Sequence, residues 1–113
     1  MNIKLTARHF KARPDLQQFA EDAVRSLTHV YDGILGADII LEDETKMGID
    51  KAAEISLFVN KDRLVVKERT DEFKKSIAGC VDKLERMLVK YKQKRQDSRH
   101  HPQKPEPQIG TIY

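Results

Sequence analysis

The chain has 113 residues, 39% of them hydrophobic and 35% charged, with a formal net charge of +3. That length holds one domain, and no apolar run approaches the roughly 18 residues of a membrane span. Met1 to Leu5 lack the apolar stretch of a secretory signal, and the single cysteine, Cys80, has no internal partner. A membrane protein, a disulfide-stapled secreted domain and a multidomain enzyme are thereby excluded, and a reducing cytoplasm is the expected location.

Residues 2–8 alternate, with Ile3, Leu5 and Ala7 on one face, which predicts a half-buried strand. Pro14 suits the first turn of a helix. From there Leu16, Phe19, Ala20, Ala23, Val24, Leu27, Val30 and Tyr31 recur at helical spacing, so a helix is expected over about 14–30, closed by Asp32-Gly33. Residues 37–42 read as a second strand and 43–50 as a polar loop. Ala53, Ile55, Leu57 and Val59 define a third strand over 52–59, Asn60-Lys61-Asp62 a hairpin turn, and 63–69 a fourth strand. Thr70-Asp71 is placed to cap a last helix, with Asp71 and Glu72 at its positive end. Phe73, Ile77, Cys80, Val81, Leu84, Leu88 and Tyr91 form its apolar stripe, which runs to about residue 94. Residues 96–113 hold three prolines and little periodicity, and read as a flexible tail beyond a 1–95 domain.

The order is β-α-β-β-β-α. The first strand–helix–strand crossover makes strands 1 and 2 parallel and right-handed, and the rest an antiparallel meander. Both helices need a partner for an apolar stripe, and one sheet face supplies it. The expected fold is α+β: a two-layer, four-stranded mixed sheet with two helices on one face, like a double-stranded-RNA-binding domain.

Charge is segregated. Residues 1–13 carry four bases and no acid, residues 14–70 seven bases and twelve acids, and residues 71–95 eight bases and four acids. Two basic blocks around an acidic middle fit a polyanion partner; they also fit a plain solvated face. On a helical wheel started at Lys75, the bases Lys75, Lys83, Arg86, Lys90 and Lys94 share a stripe of ~100°, away from the apolar side. Cations in such a row repel one another, and an anion laid along them relieves the repulsion. The stripe is about 30 Å long, enough to follow several phosphates of a folded RNA. It carries no aromatic residue for base stacking, so shape and phosphate readout is expected. Gly79 lies within the stripe. Glycine there admits a sugar-phosphate backbone, or equally a tightly packed protein element.

Other residues carry less. His9 follows Arg8 at a strand end and reads as an RNA contact or as a surface or capping histidine. His100-His101 lack a partner cysteine or acidic cluster, so no metal site is expected. Cys80 falls on the apolar stripe as a small buried hydrophobe. His29 with Asp32 has no nucleophile or oxyanion site beside it, so no enzyme and no cofactor are expected.

Three segments resemble the ribosome hibernation promoting factors, the family of protein Y once called sigma-54 modulation proteins. They are Ile3-Lys4-Leu5-Thr6-Ala7-Arg8-His9, Tyr31-Asp32 and, most specifically, Val81-Asp82-Lys83-Leu84-Glu85-Arg86-Met87-Leu88-Val89-Lys90. The resemblance spans about residues 1–95 and implies a bacterial translation inhibitor of stress and stationary phase. Such a protein binds 16S rRNA of the 30S subunit and 70S ribosome in the mRNA and tRNA channel, blocking the A and P sites of idle ribosomes. It implies no small-molecule substrate, no membrane and a monomer when free. The family's RNA-facing bases match at Arg8, Lys83, Arg86 and Lys90; Lys75 and Lys94 join on the wheel alone, and His9 by adjacency. The family departs at Ala7, where glycine is usual, at Lys74, where tyrosine is common, and at Asn60-Lys61-Asp62, where a glycine pair is usual. The second, dimerising domain of long members has no counterpart in the tail. Two alternatives remain open: a protein-interaction module of the sigma-54 modulation kind, and an RNA-binding protein acting away from ribosomes.

Overall fold

The computed structural model describes residues 1–44 and 50–100, with side chains through residue 94. Residues 45–49 of the expected polar loop, and 101–113 of the expected tail, lie outside the described residues. The elements follow the expected order: β1 (Asn2–Arg8), α1 (Pro14–Arg25), a 3₁₀ turn (Ser26–His29), β2 (Ile34–Asp43), β3 (Lys51–Val59), β4 (Asp62–Thr70) and α2 (Phe73–His100).

The sheet order is β1-β2-β3-β4. β1 pairs parallel with β2, placing Leu5 beside Ile39; β2–β3 and β3–β4 pair antiparallel. The helical face of the sheet carries Ala37, Ile39 and Leu41 of β2, and Ala53, Ile55, Leu57 and Val59 of β3, all buried. Ala20, Val24 and Leu27 on the first helical segment, with Ile77, Cys80, Leu84 and Leu88 of α2, complete this core. Each fully buried Leu or Ile here contributes about 1.5–3 kcal/mol. α2 packs on β3 and β4, and α1 packs against α2. The other sheet face, with Lys4, Thr6 and Arg8 in register with Asp38, Ile40 and Glu42, lies away from the helices.

Three boundaries differ from expectation, each for a local reason. α1 stops at Arg25 and tightens into the 3₁₀ turn because hydroxyls bond back three residues: Ser26 Oγ donates to the Ala23 carbonyl at 2.6 Å and Thr28 Oγ1 to that of Arg25 at 2.7 Å. β2 begins earlier, at Ile34, through a bulge between Ile34 and Gly36 that turns Leu35 outward to 61% exposure. Gly36 is required there, since a Cβ would lie 2.9 Å from the Asn2 carbonyl oxygen. α2 continues to His100, past the expected end near 94. Residues 95–100 are polar and show no apolar period, yet Pro102 is the first residue that blocks a helix.

The β3–β4 turn is two residues, Asn60-Lys61, closed by the Val59–Asp62 pair, with Asn60 at φ 39°. Asparagine tolerates that left-handed region. At the start of α2 the Glu72 amide donates to Thr70 Oγ1 at 3.2 Å, and Ser76 Oγ donates to the Lys51 carbonyl at 2.5 Å. The helix start is thereby tied to β3.

Candidate nucleic-acid interface

β1 delivers Arg8 and His9 to one end of the sheet. His9 has φ 67°, a turn of the backbone that leads into Phe10. Phe10 stacks on Phe73 at 4.5 Å between ring centroids, with planes 14° apart. This contact seats the segment after β1 against the start of α2. The two basic blocks of the sequence therefore meet: Arg8, His9, Lys11 and Arg13 are all exposed at the end where Lys74 and Lys75 begin α2.

From that end the bases run along α2. Lys75, Lys83, Arg86, Lys90 and Lys94 are all exposed. Their mutual repulsion is nevertheless smaller than the wheel implies, because the chain supplies its own acids. Lys75 Nζ lies 3.1 Å from Asp71 Oδ1 and 3.7 Å from Glu72 Oε2. Arg86 pairs with Asp82 at 2.8 Å, and Lys83 pairs with Glu68 of β4. The carboxylates hold both lysine ammonium groups above the usual lysine pKa: Asp71 by hydrogen bond and charge for Lys75, Glu68 likewise for Lys83. Lys90 makes no ion pair among the described residues.

Gly79 resolves toward packing. A Cβ there would stand 3.1 Å from Glu68 Cγ, so the glycine faces the β4 side chain and not an open surface. The stripe thus borders the seam between α2 and the edge strand β4.

Arg8 does not share that stripe. Its register partner is Glu42, on the sheet face away from the helices. His9 Nδ1 reaches Glu42 Oε2 only at 4.0 Å, with the histidine 69% exposed. The sequence-derived residues therefore fall into two groups, Arg8 and His9 at the sheet end and the five α2 bases, joined by the Phe10–Phe73 stack.

Several bases escaped the wheel. Lys74 projects over the Phe19 ring at 5.4 Å to its centroid, on the α1 side of α2. Arg63, Lys67 and Arg69 are exposed on the open face of β4, and Arg69 pairs with Glu44 at 2.7 Å. The signal for them was the period-two pattern of β4, in which Leu64 and Val66 turn inward and the odd-numbered bases outward.

Cys80 is fully buried, its Sγ donating to the Ala53 carbonyl at 3.3 Å, and burial pushes the thiol pKa up to about 12. It is a protonated core group and not a nucleophile. Among the described residues, no three His, Cys, Asp or Glu side chains are placed to hold a metal ion. No helix of the described residues is long and apolar enough to cross a membrane.

The family described as sigma 54 modulation protein / S30EA ribosomal protein matches residues 3–96 of the chain. Among solved structures, the Thermus thermophilus Protein Y N-terminal domain is similar, with 26% identity and a TM-score of 0.70, over 80% of this chain and 99% of that one. A ribosomal subunit interface protein from Coxiella burnetii shares the fold, at 22% identity and a TM-score of 0.73, over 82% of this chain and 99% of that one. No curated protein sequence matches the chain.

Proposed function

Since the chain belongs to the sigma 54 modulation protein / S30EA ribosomal protein family, we propose that it is a hibernation factor that binds 16S rRNA of the small subunit. On this reading it lies in the mRNA and tRNA channel of the 30S subunit or the 70S ribosome. It occupies the A and P sites of idle ribosomes in the cytoplasm under stress or in stationary phase, and it performs no catalysis. The likeness to a protein named for the ribosomal subunit interface supports this placement. The observation that carries the reading is the pair of basic groups joined by the Phe10–Phe73 stack, Arg8 and His9 at the sheet end and Lys75, Lys83, Arg86, Lys90 and Lys94 exposed along α2.

The chemistry follows from the side chains. The Arg86 guanidinium can grip a phosphate with two parallel hydrogen bonds, while each lysine offers a mobile point charge. Spacing along one helix face sets the order of phosphates met, and the five α2 bases include no aromatic ring on which a base could stack. Recognition is then of RNA shape.

Sedimentation through sucrose gradients with purified ribosomes is the direct test. The native chain is expected to travel with the small subunit and the full ribosome, and to be displaced by messenger and transfer RNA. Lys83→Glu with Arg86→Glu is expected to abolish comigration while circular dichroism stays native. Log K should fall by roughly 0.7–0.9 per phosphate neutralised for each tenfold rise in salt. Undiminished binding of the double variant would remove α2 as the RNA face. Retention of non-ribosomal proteins in a nuclease-treated lysate would move the function to a protein partner.

A further inference from the structure

Glu68 is out of place by its pattern. It follows Leu64 and Val66 on the helical side of β4 and stands in register with the fully buried Ala53. Its side chain is only 23% exposed, and its described ion-pair partner is Lys83, itself 55% exposed. A half-buried carboxylate with one partner is a poor stabiliser; an apolar side chain of similar volume does as well or better at such a place. Gly79 adds to the disadvantage. Glycine is among the worst residues for a helix interior, and here its missing Cβ leaves room for Glu68, whose Cγ and Oε1 would lie 3.1 and 3.4 Å from that atom. Two separate departures from the most stable choice thus serve one contact, the carboxylate beneath Lys83.

We propose that Glu68 is an internal counterion that RNA phosphate must displace from Lys83, so that it sets the affinity and the salt response of the α2 face. This rests on the reading of α2 as an RNA-binding face. In the free chain, Glu68 holds the Lys83 ammonium at the α2–β4 seam. In the complex, a phosphate exchanges with the carboxylate, which stays behind as a nearby negative charge opposing the phosphate. Polyanions that engage only the remaining bases then bind weakly, and release is easy. Lys75 with Asp71 and Arg86 with Asp82 are different, since those acids, just before α2 and on it, are more than half exposed and can swing away.

The test uses the full chain and two probes, purified small ribosomal subunits and a 16-base-pair RNA duplex. Glu68→Gln keeps the shape and removes the charge. It is expected to tighten binding by about three- to ten-fold at low salt, the size of one unit charge several ångströms from a phosphate near the surface. The salt slope should steepen by about 0.7–0.9, because no freed carboxylate takes up a cation and one more counterion is released on net, which a merely structural role would not produce. In a Lys83→Met background the gain from Glu68→Gln should fall by at least half. Gly79→Ala, which crowds the carboxylate, should tighten binding in the same direction and add little to Glu68→Gln. Unchanged or weaker binding of a natively folded Glu68→Gln variant to both probes overturns the proposal, as does failure of the wild-type chain to bind both the subunit and the duplex. Duplex binding that responds to Glu68→Gln, without any wild-type binding to the subunit, supports the counterion and overturns the ribosomal reading.

Discussion

Cys80 shows how one residue's surroundings decide its chemistry. The thiol is sealed in the core against the Ala53 carbonyl, and its pKa is pushed from 9.0 up to about 12, chiefly by burial and then by the charge of Glu68. The sign of the consequence is fixed by linkage. Between those two values the unfolded chain has lost the thiol proton while the folded chain still holds it. The thiol's contribution to stability is thus whole below about pH 9 and declines as pH rises toward 12. Urea unfolding of the native chain and of Cys80→Ala at pH 8 and pH 11 would show this. The native chain should be the more stable at pH 8, and its advantage should shrink at pH 11. The lysine ion pairs are present in both chains and cancel in the comparison. A thiol reagent should also react with the native chain only as fast as it unfolds.

At the scale of elements, α2 has one buried apolar face and one exposed basic face. Ile77, Cys80, Leu84 and Leu88 are fully buried, while Lys83, Arg86 and Lys90 are exposed. Replacing Leu84 by Ala is expected to lower stability by about 2–5 kcal/mol, whereas replacing Arg86 by Ala should change it by less than about 1 kcal/mol. The junction between β1 and α2 depends on a smaller contact. A double-mutant cycle on Phe10 and Phe73 should give a coupling of about 0.5–1.5 kcal/mol, the worth of a stacked pair beyond its buried area. Phe10→Ala should also weaken ribosome binding, because Arg8, His9, Lys11 and Arg13 lose their seat against α2. Binding that is unaffected by Phe10→Ala would mean that the sheet-end bases take no part.

At the scale of the whole molecule, among the described residues the core cluster and the shell packed on it lie between Ile3 and Tyr91. The expected domain, residues 1–95, therefore contains all of the described core. A chain ending after Arg95 is predicted to unfold at a urea midpoint equivalent to within about 0.5 kcal/mol of the full chain, since it keeps every residue of the described core. It should also keep its affinity for the small subunit, if the α2 face suffices. Loss of folding would show that residues beyond 95 complete the core. Loss of binding with native folding would give those residues a part in the interface.

Much of this was legible in the residues themselves. Period-two alternation in 2–8 and 52–59, the short strand-like runs 37–42 and 63–69, and the apolar stripes at helical spacing placed all four strands and both helices, because burial of one face imposes such patterns on the sequence. Strand-helix-strand order was enough to make β1 and β2 parallel, since a crossover in one sheet has one favoured hand. The segments Ile3–His9, Tyr31-Asp32 and, most specifically, Val81–Lys90 indicated the family that matches residues 3–96. The bounds that were misplaced lay where hydroxyl back-bonding ended α1 early, where a bulge opened β2, and where polar residues hid the last turns of α2. Only the tertiary structure decided which groups meet across elements. The wheel showed five cations, but not that Glu68 comes from β4 to take Lys83, or that Gly79 faces that carboxylate. Nor did it show that Phe10 and Phe73 bring the two basic blocks together. Periodicity reports which side of an element is buried. Pairing between elements depends on how far one slides and turns on another, a matter of a few ångströms that is settled by the close packing of the whole core.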